Sequence, residues 1–226
     1  MNFRSAQLKK FSILSLALAA MVPAQASATR FSIVGVDTIS TPNVDPSSLK
    51  VNGVDATLGT SGASAFGGGA LLGFAMAPAF EFETGALYIT RKYDMTIAAA
   101  GVSQTSTQSQ HAVEIPALLR YHVAHYFSVG AGGYAAIGTG NVKTTGPSGT
   151  VTSSTYASAG LKNRDYGVLF SAALHIPVST GASFLVDGRY SMGLTDVNAD
   201  SKSLPVEEKY NDIQVLAGLQ FHLGSK

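Results

Sequence analysis

The 226-residue chain contains no cysteine and no tryptophan, and only 13% of its residues are charged, against the roughly 25% usual in a soluble domain. Without cysteine there is no disulfide framework, thiolate zinc or iron–sulfur site, cysteine nucleophile or lipidated N-terminal cysteine. A dominant charge is missing too. Fifteen basic and 14 acidic residues give a net charge of +1, which leaves no electrostatic footprint for nucleic acid. Beyond the N-terminus there is no long hydrophobic run of helical character. The longest uncharged stretch, Ala56 to Phe80, holds six glycines, a proline and four Ser/Thr residues, which a lipid-facing helix does not favour. What the chain does have is 24 glycines, 46% apolar residues and a mean hydropathy of +0.20, high for water and low for a bundle of membrane helices.

Residues 1–28 have the order of a secretory signal. Arg4, Lys9 and Lys10 precede the apolar run Phe11 to Val22, then come Pro23 and the small-residue sites Ala24-Gln25-Ala26 and Ala26-Ser27-Ala28. The apolar run is too short to serve as a retained anchor, since a spanning helix needs about 20 residues. Losing those three basic residues takes the exported chain, residues 29–226, from +1 to −2.

The remainder alternates with period 2. Tyr166, Val168, Phe170, Ala172, Leu174 and Ile176 oppose Gly167, Ser171, Ala173 and His175. Ile213, Val215, Ala217, Leu219, Phe221 and Leu223 oppose Asp212, Gln214, Gly218, Gln220 and His222. The same pattern predicts eight strands, at about 30–37, 66–76, 79–90, 111–122, 125–138, 165–176, 182–194 and 211–223. Most exceed the 5–6 residues of ordinary strands and reach the roughly 9–11 that a tilted strand needs to cross a bilayer. Short links (Ala77-Pro78, Val123-Ala124 and Pro177 to Gly181) alternate with long polar ones at 38–65, 91–110, 139–164 and 195–210. That alternation predicts an all-β, eight-stranded antiparallel transmembrane β-barrel of outer-membrane type, with tight periplasmic turns and long extracellular loops. A sheet in lipid must close on itself, and eight strands leave a lumen that side chains can fill. A soluble lipocalin-like barrel is the structural rival, with its apolar phase facing inward.

The segment Val113-Glu114-Ile115-Pro116-Ala117-Leu118-Leu119-Arg120-Tyr121 resembles the signature strand of the PorT/OmpA-like outer-membrane β-barrel family. Gly188-Arg189-Tyr190-Ser191-Met192-Gly193-Leu194-Thr195-Asp196 resembles its penultimate strand. The final strand, ending in Leu219, Phe221 and Leu223, is similar to the terminal signal read by the barrel-assembly machinery, although Gly224-Ser225-Lys226 follows where an aromatic residue is usual. The resemblance implies residence in the outer membrane of a Gram-negative bacterium, in contact with outer-membrane lipid.

Glu81, Glu83, Glu114, Arg120, Asp187 and Arg189 fall on the inward phase, with His122, His175 and His222. They form a candidate interior polar network, Glu81 and Glu83 being expected near Arg120 and Asp187 with Arg189 nearer mid-strand. Its readings are a salt-bridged plug or a gated ion path. No catalytic, cofactor or metal site is expected, because neither a G-x-S-x-G elbow nor an H-E-x-x-H motif occurs. His111, with Ser109 on the same face, is the one candidate at a loop end. Tyr88, Tyr121, Tyr166, Tyr190, Phe80, Phe127 and Phe184 are candidates for interfacial girdles. The expected role is structural or surface-interacting: envelope integrity, and binding of an extracellular partner through the loops. A narrow channel and a membrane-embedded lipid hydrolase or acyltransferase are the alternatives.

Overall fold

The computed structural model describes residues 28–44, 49–51, 54–198 and 208–223. Residues 1–27 of the expected signal peptide and the terminal 224–226 lie outside them. Ten strands follow in chain order: β1 (Ala28–Val44), β2 (Leu49–Val51), β3 (Val54–Ala77), β4 (Phe80–Ala99), β5 (Val102–Ala124), β6 (Phe127–Thr145), β7 (Val151–Ser154), β8 (Arg164–Ser179), β9 (Ala182–Gly193) and β10 (Glu208–His222). Eight of them form one antiparallel ring in the order β1, β10, β9, β8, β6, β5, β4, β3, because β1 pairs on one side with β10 (Arg30↔His222) and on the other with β3 (Phe31↔Leu72). The short β2 and β7 only extend β3 and β6.

Ring closure leaves no unpaired edge across the apolar band, and the pleat then sorts side chains by parity. On β8, Tyr166, Phe170, Leu174 and Ile176 face out, while Asp165, Leu169, Ala173 and His175 are buried inside. On β10, Ile213, Val215, Leu219 and Phe221 face out, and Asp212, Gln214, Leu216 and Gln220 face in. An outward apolar phase is the opposite of a lipocalin's, so that alternative falls. Outward Tyr166 and Tyr190 lie toward the loop ends of their strands, Tyr88 lies midway along β4, and Phe80, Tyr121 and Phe184 lie toward the turn ends, with Phe80 and Tyr121 rings 5.2 Å apart.

Two expectations need correction. The interior is not wholly polar: Val34, Val36, Leu71, Leu87, Ile89, Leu118, Leu169, Leu185 and Leu216 form a buried core within the ring. Beside it β5 and β6 approach closely at Gly132, where a Cβ would sit 2.0 Å from the Ala117 carbonyl oxygen. The 91–110 stretch is not a loop either. Lys92–Ala99 pairs with Val102–Ser109, and Ala100 and Gly101, both at positive φ, make a two-residue turn. Strand β3 likewise runs through residues expected in the first long loop, with a register shift between Ala63 and Gly68. The turn between β5 and β6 lies at His125-Tyr126 rather than Val123-Ala124.

Candidate functional site

Strand parity delivers charged side chains from both walls into the lumen. At the centre, Arg120 on β5 grips Glu83 on β4 with Nε (2.8 Å) and Nη2 (3.1 Å), and its Nη2 also reaches Asp187 on β9. Ser171 accepts from Arg120 Nη1 at 2.9 Å and donates to Asp187 at 2.6 Å. Arg189 closes the circuit, at 2.9 Å from Asp187 and 2.6 Å from Glu83. Two guanidinium groups thus meet two carboxylates, all of them buried. Burying such groups in a low-dielectric interior is costly unless they are paired, and here the two positive and two negative charges balance, although Arg189 Nη1 has no hydrogen-bond partner among the described residues.

Glu81 and Glu114 lie outside this circuit. Glu81 is the register partner of Arg120, but Arg120 turns toward mid-barrel and Glu81 pairs instead with Arg30 of β1 at 3.2 Å. Arg30 Nη1 is also 3.1 Å from His122 Nε2. Glu114 accepts from Gln214 Nε2 at 3.0 Å, across the lumen on β10.

A third cluster sits nearer the extracellular mouth and was missed in the sequence. Arg91 lies 2.9 Å from Asp212 and 3.0 Å from Asp165, and its guanidinium stacks over the Tyr210 ring at 4.7 Å. Tyr134 donates to Asp165 at 2.9 Å. Arg91 falls in a stretch that the sequence predicts as a loop, where strand parity is not read. Along β4, Leu87 and Ile89 stand between Glu83 and Arg91, and level with Leu87 the Glu114–Gln214 bond crosses the lumen between the two ionic clusters. At the rim above, Tyr93 donates to Glu208 at 3.0 Å beside Tyr210 and Val197. Burial pushes the Glu208 carboxyl up from its ordinary value, opposed by the hydrogen bonds from Tyr93 and Tyr210.

The histidines do not converge on an open site. His175 bridges Ser128 (2.9 Å) and Gln220 (2.9 Å), and Gln220 passes the chain to Ser32 at 3.2 Å. A hydroxyl, imidazole and amide in sequence resemble a nucleophile with its base, but Ser128 is fully buried in the plug, where no substrate reaches it. His111 faces outward, stacked on Tyr88 and 3.0 Å from Thr90 Oγ1, and a register shift separates it from Ser109. Among the described residues, no group of three or more His, Asp or Glu side chains is placed to hold a metal ion.

The ring, its parity and its filled lumen agree with a match over residues 30–199 to the outer membrane protein β-barrel domain. The chain belongs to this family of outer-membrane β-barrels. No curated protein matches it in sequence. Among solved structures, this barrel is similar to Ail, the attachment invasion locus protein of Yersinia pestis, in complex with the heparin analogue sucrose octasulfate (12% identity, TM-score 0.45, covering 86% of this chain and 100% of that one). It is also similar to OprG from Pseudomonas aeruginosa (15%, 0.45, 88% and 98%) and to Neisserial surface protein A (10%, 0.42, 88% and 99%).

Proposed function

We propose that this outer-membrane barrel is a surface-interaction protein of the PorT/OmpA-like kind, in which a closed ring carries a rigid extracellular hairpin to an external protein partner. One observation carries the reading. Strands β4 and β5 continue past the outer girdle residue Tyr88 as a paired hairpin to Ala99 and Val102, about 36 Å along the strand at 3.3 Å per residue. Pairing of β5 with β6 begins only at Thr107, so Val102–Ser106 is a β edge bonded on one side. Exposed edges are ordinarily blunted by lysine or proline. Val102 to Gln110 contains neither, and no charge. Such an edge suits the addition of an extended strand, with backbone hydrogen bonds supplying affinity. Beside it lies an open groove of about 420 Å3, lined by Ile97, Ala99, Val102 and Pro147 together with the polar residues 104–106.

The supporting role in envelope integrity rests on the filled lumen, which also disfavours a channel. Cells displaying the full chain in their outer membrane should attach to surfaces coated with extracellular-matrix proteins. Replacing residues 95–106 by a tight turn should abolish attachment while the barrel keeps its heat-modifiable migration on gels. Attachment unchanged by that replacement would overturn the reading, and reproducible conductance steps in planar bilayers would favour the narrow channel.

A further inference from the structure

We propose that a groove on the outer rim, between the top of β6, the 155–163 segment and the start of β8, binds the phosphate of an outer-leaflet lipid, with Arg164 and Lys162 as its ligands. The inference is independent of the hairpin and its partner. It starts from the arginines. Arg30, Arg91, Arg120 and Arg189 are all ion-paired inside the ring. Arg164 is the remaining described arginine, and it is exposed, with neither an ion pair nor a side-chain hydrogen bond to another described residue.

Its height is set by parity and register. Arg164 lies on the outward phase of β8, one outward position above Tyr166, and pairs in register with outward-facing Ile137 of β6. It therefore stands where the apolar band ends, at the level at which lipid phosphates lie. The groove there is open and measures about 850 Å3; Gly138, Gly140, Thr155, Lys162, Arg164 and Tyr166 contribute to its lining. Its wall is fixed. The Tyr156 ring occupies the space a side chain on Gly138 would need, 2.4 Å from that Cβ, and the Tyr156 hydroxyl donates to the His111 carbonyl at 2.7 Å.

The second cation is positioned as well. Lys162 Nζ donates to the Asp196 carbonyl at 2.8 Å and stays half-exposed, 3.7 Å from the Asp196 carboxylate. Two cations against one carboxylate leave the groove net positive. A guanidinium fork and an ammonium together match a phosphate, the first by bidentate hydrogen bonding and the second as a point charge. Tyr166, 59% exposed on the same wall, offers the apolar body and polar tip that suit the boundary between headgroup and acyl chain. A lipid satisfies both features, whereas a free anion would use only the charges.

The test is electron paramagnetic resonance with spin-labelled lipids on the full barrel refolded in phosphatidylcholine bilayers. Spin-labelled phosphatidic acid should associate more strongly than spin-labelled phosphatidylcholine. Arg164→Gln with Lys162→Gln should lower its association constant to that of phosphatidylcholine, and Arg164→Lys should restore part of the preference. Lys92→Gln, on the rim of β4, is the control for general surface charge and should leave the preference intact. Heat-modifiable migration confirms that each variant is folded. The proposal is overturned if the wild type shows no preference, if the double variant keeps it, if Lys92→Gln removes it equally, or if inorganic phosphate displaces the lipid label at equal concentration, which would mark a site for free anions.

Discussion

Arg120 and Asp187 meet across the lumen although their strands, β5 and β9, are separated in the ring by β6 and β8. The contact ties opposite walls together through a buried charge pair. Arg120→Met should therefore strip Glu83 and Asp187 of a shared cation and destabilise the barrel by about 3–5 kcal/mol. Urea titration of the protein in lipid vesicles, followed by gel migration, measures this. A double-mutant cycle of Arg120→Met with Glu83→Gln should show strong coupling, and additive effects would mean that the circuit is not energetically closed.

Crowding at the glycines predicts a contrast between two alanine substitutions. A methyl on Gly132 meets the Ala117 carbonyl oxygen at 2.0 Å, whereas one on Gly35 meets nothing closer than 3.8 Å. Gly132→Ala should cost about 1–3 kcal/mol by overpacking, and Gly35→Ala should be near neutral. Equal urea midpoints for the two would contradict the described inter-strand approach.

Orientation toward lipid is checked by depth. Phe170 lies midway along the outward phase of β8, and Leu194 just beyond the end of β9. Phe170→Arg should cost about 2–4 kcal/mol and Leu194→Arg about 0–1. If Phe170→Arg were silent in refolding equilibria, that phase would not be facing hydrocarbon.

The outer rim should loosen as pH rises. Glu208 has its carboxyl raised by burial, so the folded state binds a proton more tightly than the unfolded one. Its contribution is fully present below the unfolded value near 4.3 and fades as pH passes through the higher folded value. Hydrogen exchange at the top of β10, corrected for intrinsic rate, should show protection falling over that window. Glu208→Gln should flatten the profile.

Much of the ring was legible because parity is a strong signal where one face meets lipid. Tyr166 to Ile176 and Ile213 to Leu223 carry it without interruption, and short and long links alternate. The upper halves of β3, β4 and β5 were not legible. Above the bilayer both faces meet water, so Thr, Ser and Gln occupy both phases and hydrophobic alternation disappears, while Ala100-Gly101 lacks the Asn-Gly cue of a tight turn. The same error concealed Arg91 and with it the upper ionic cluster. Side-chain reach also escaped the sequence: register puts Glu81 opposite Arg120, yet the long guanidinium chooses Glu83 and Asp187.

The seam between β1 and β10 pairs Arg30 with His222, nearly the whole length of the chain apart. It makes the ring's completion wait on the last strand to be synthesised and exported. Until β10 arrives, β1 and β9 each present a bare row of backbone donors and acceptors, and the most non-local pairing is also the slowest to form. The interval between export and closure is thus the period in which the nascent chain is most exposed to aggregation and proteolysis, and escorting it through that interval is a task the fold itself imposes on the cell.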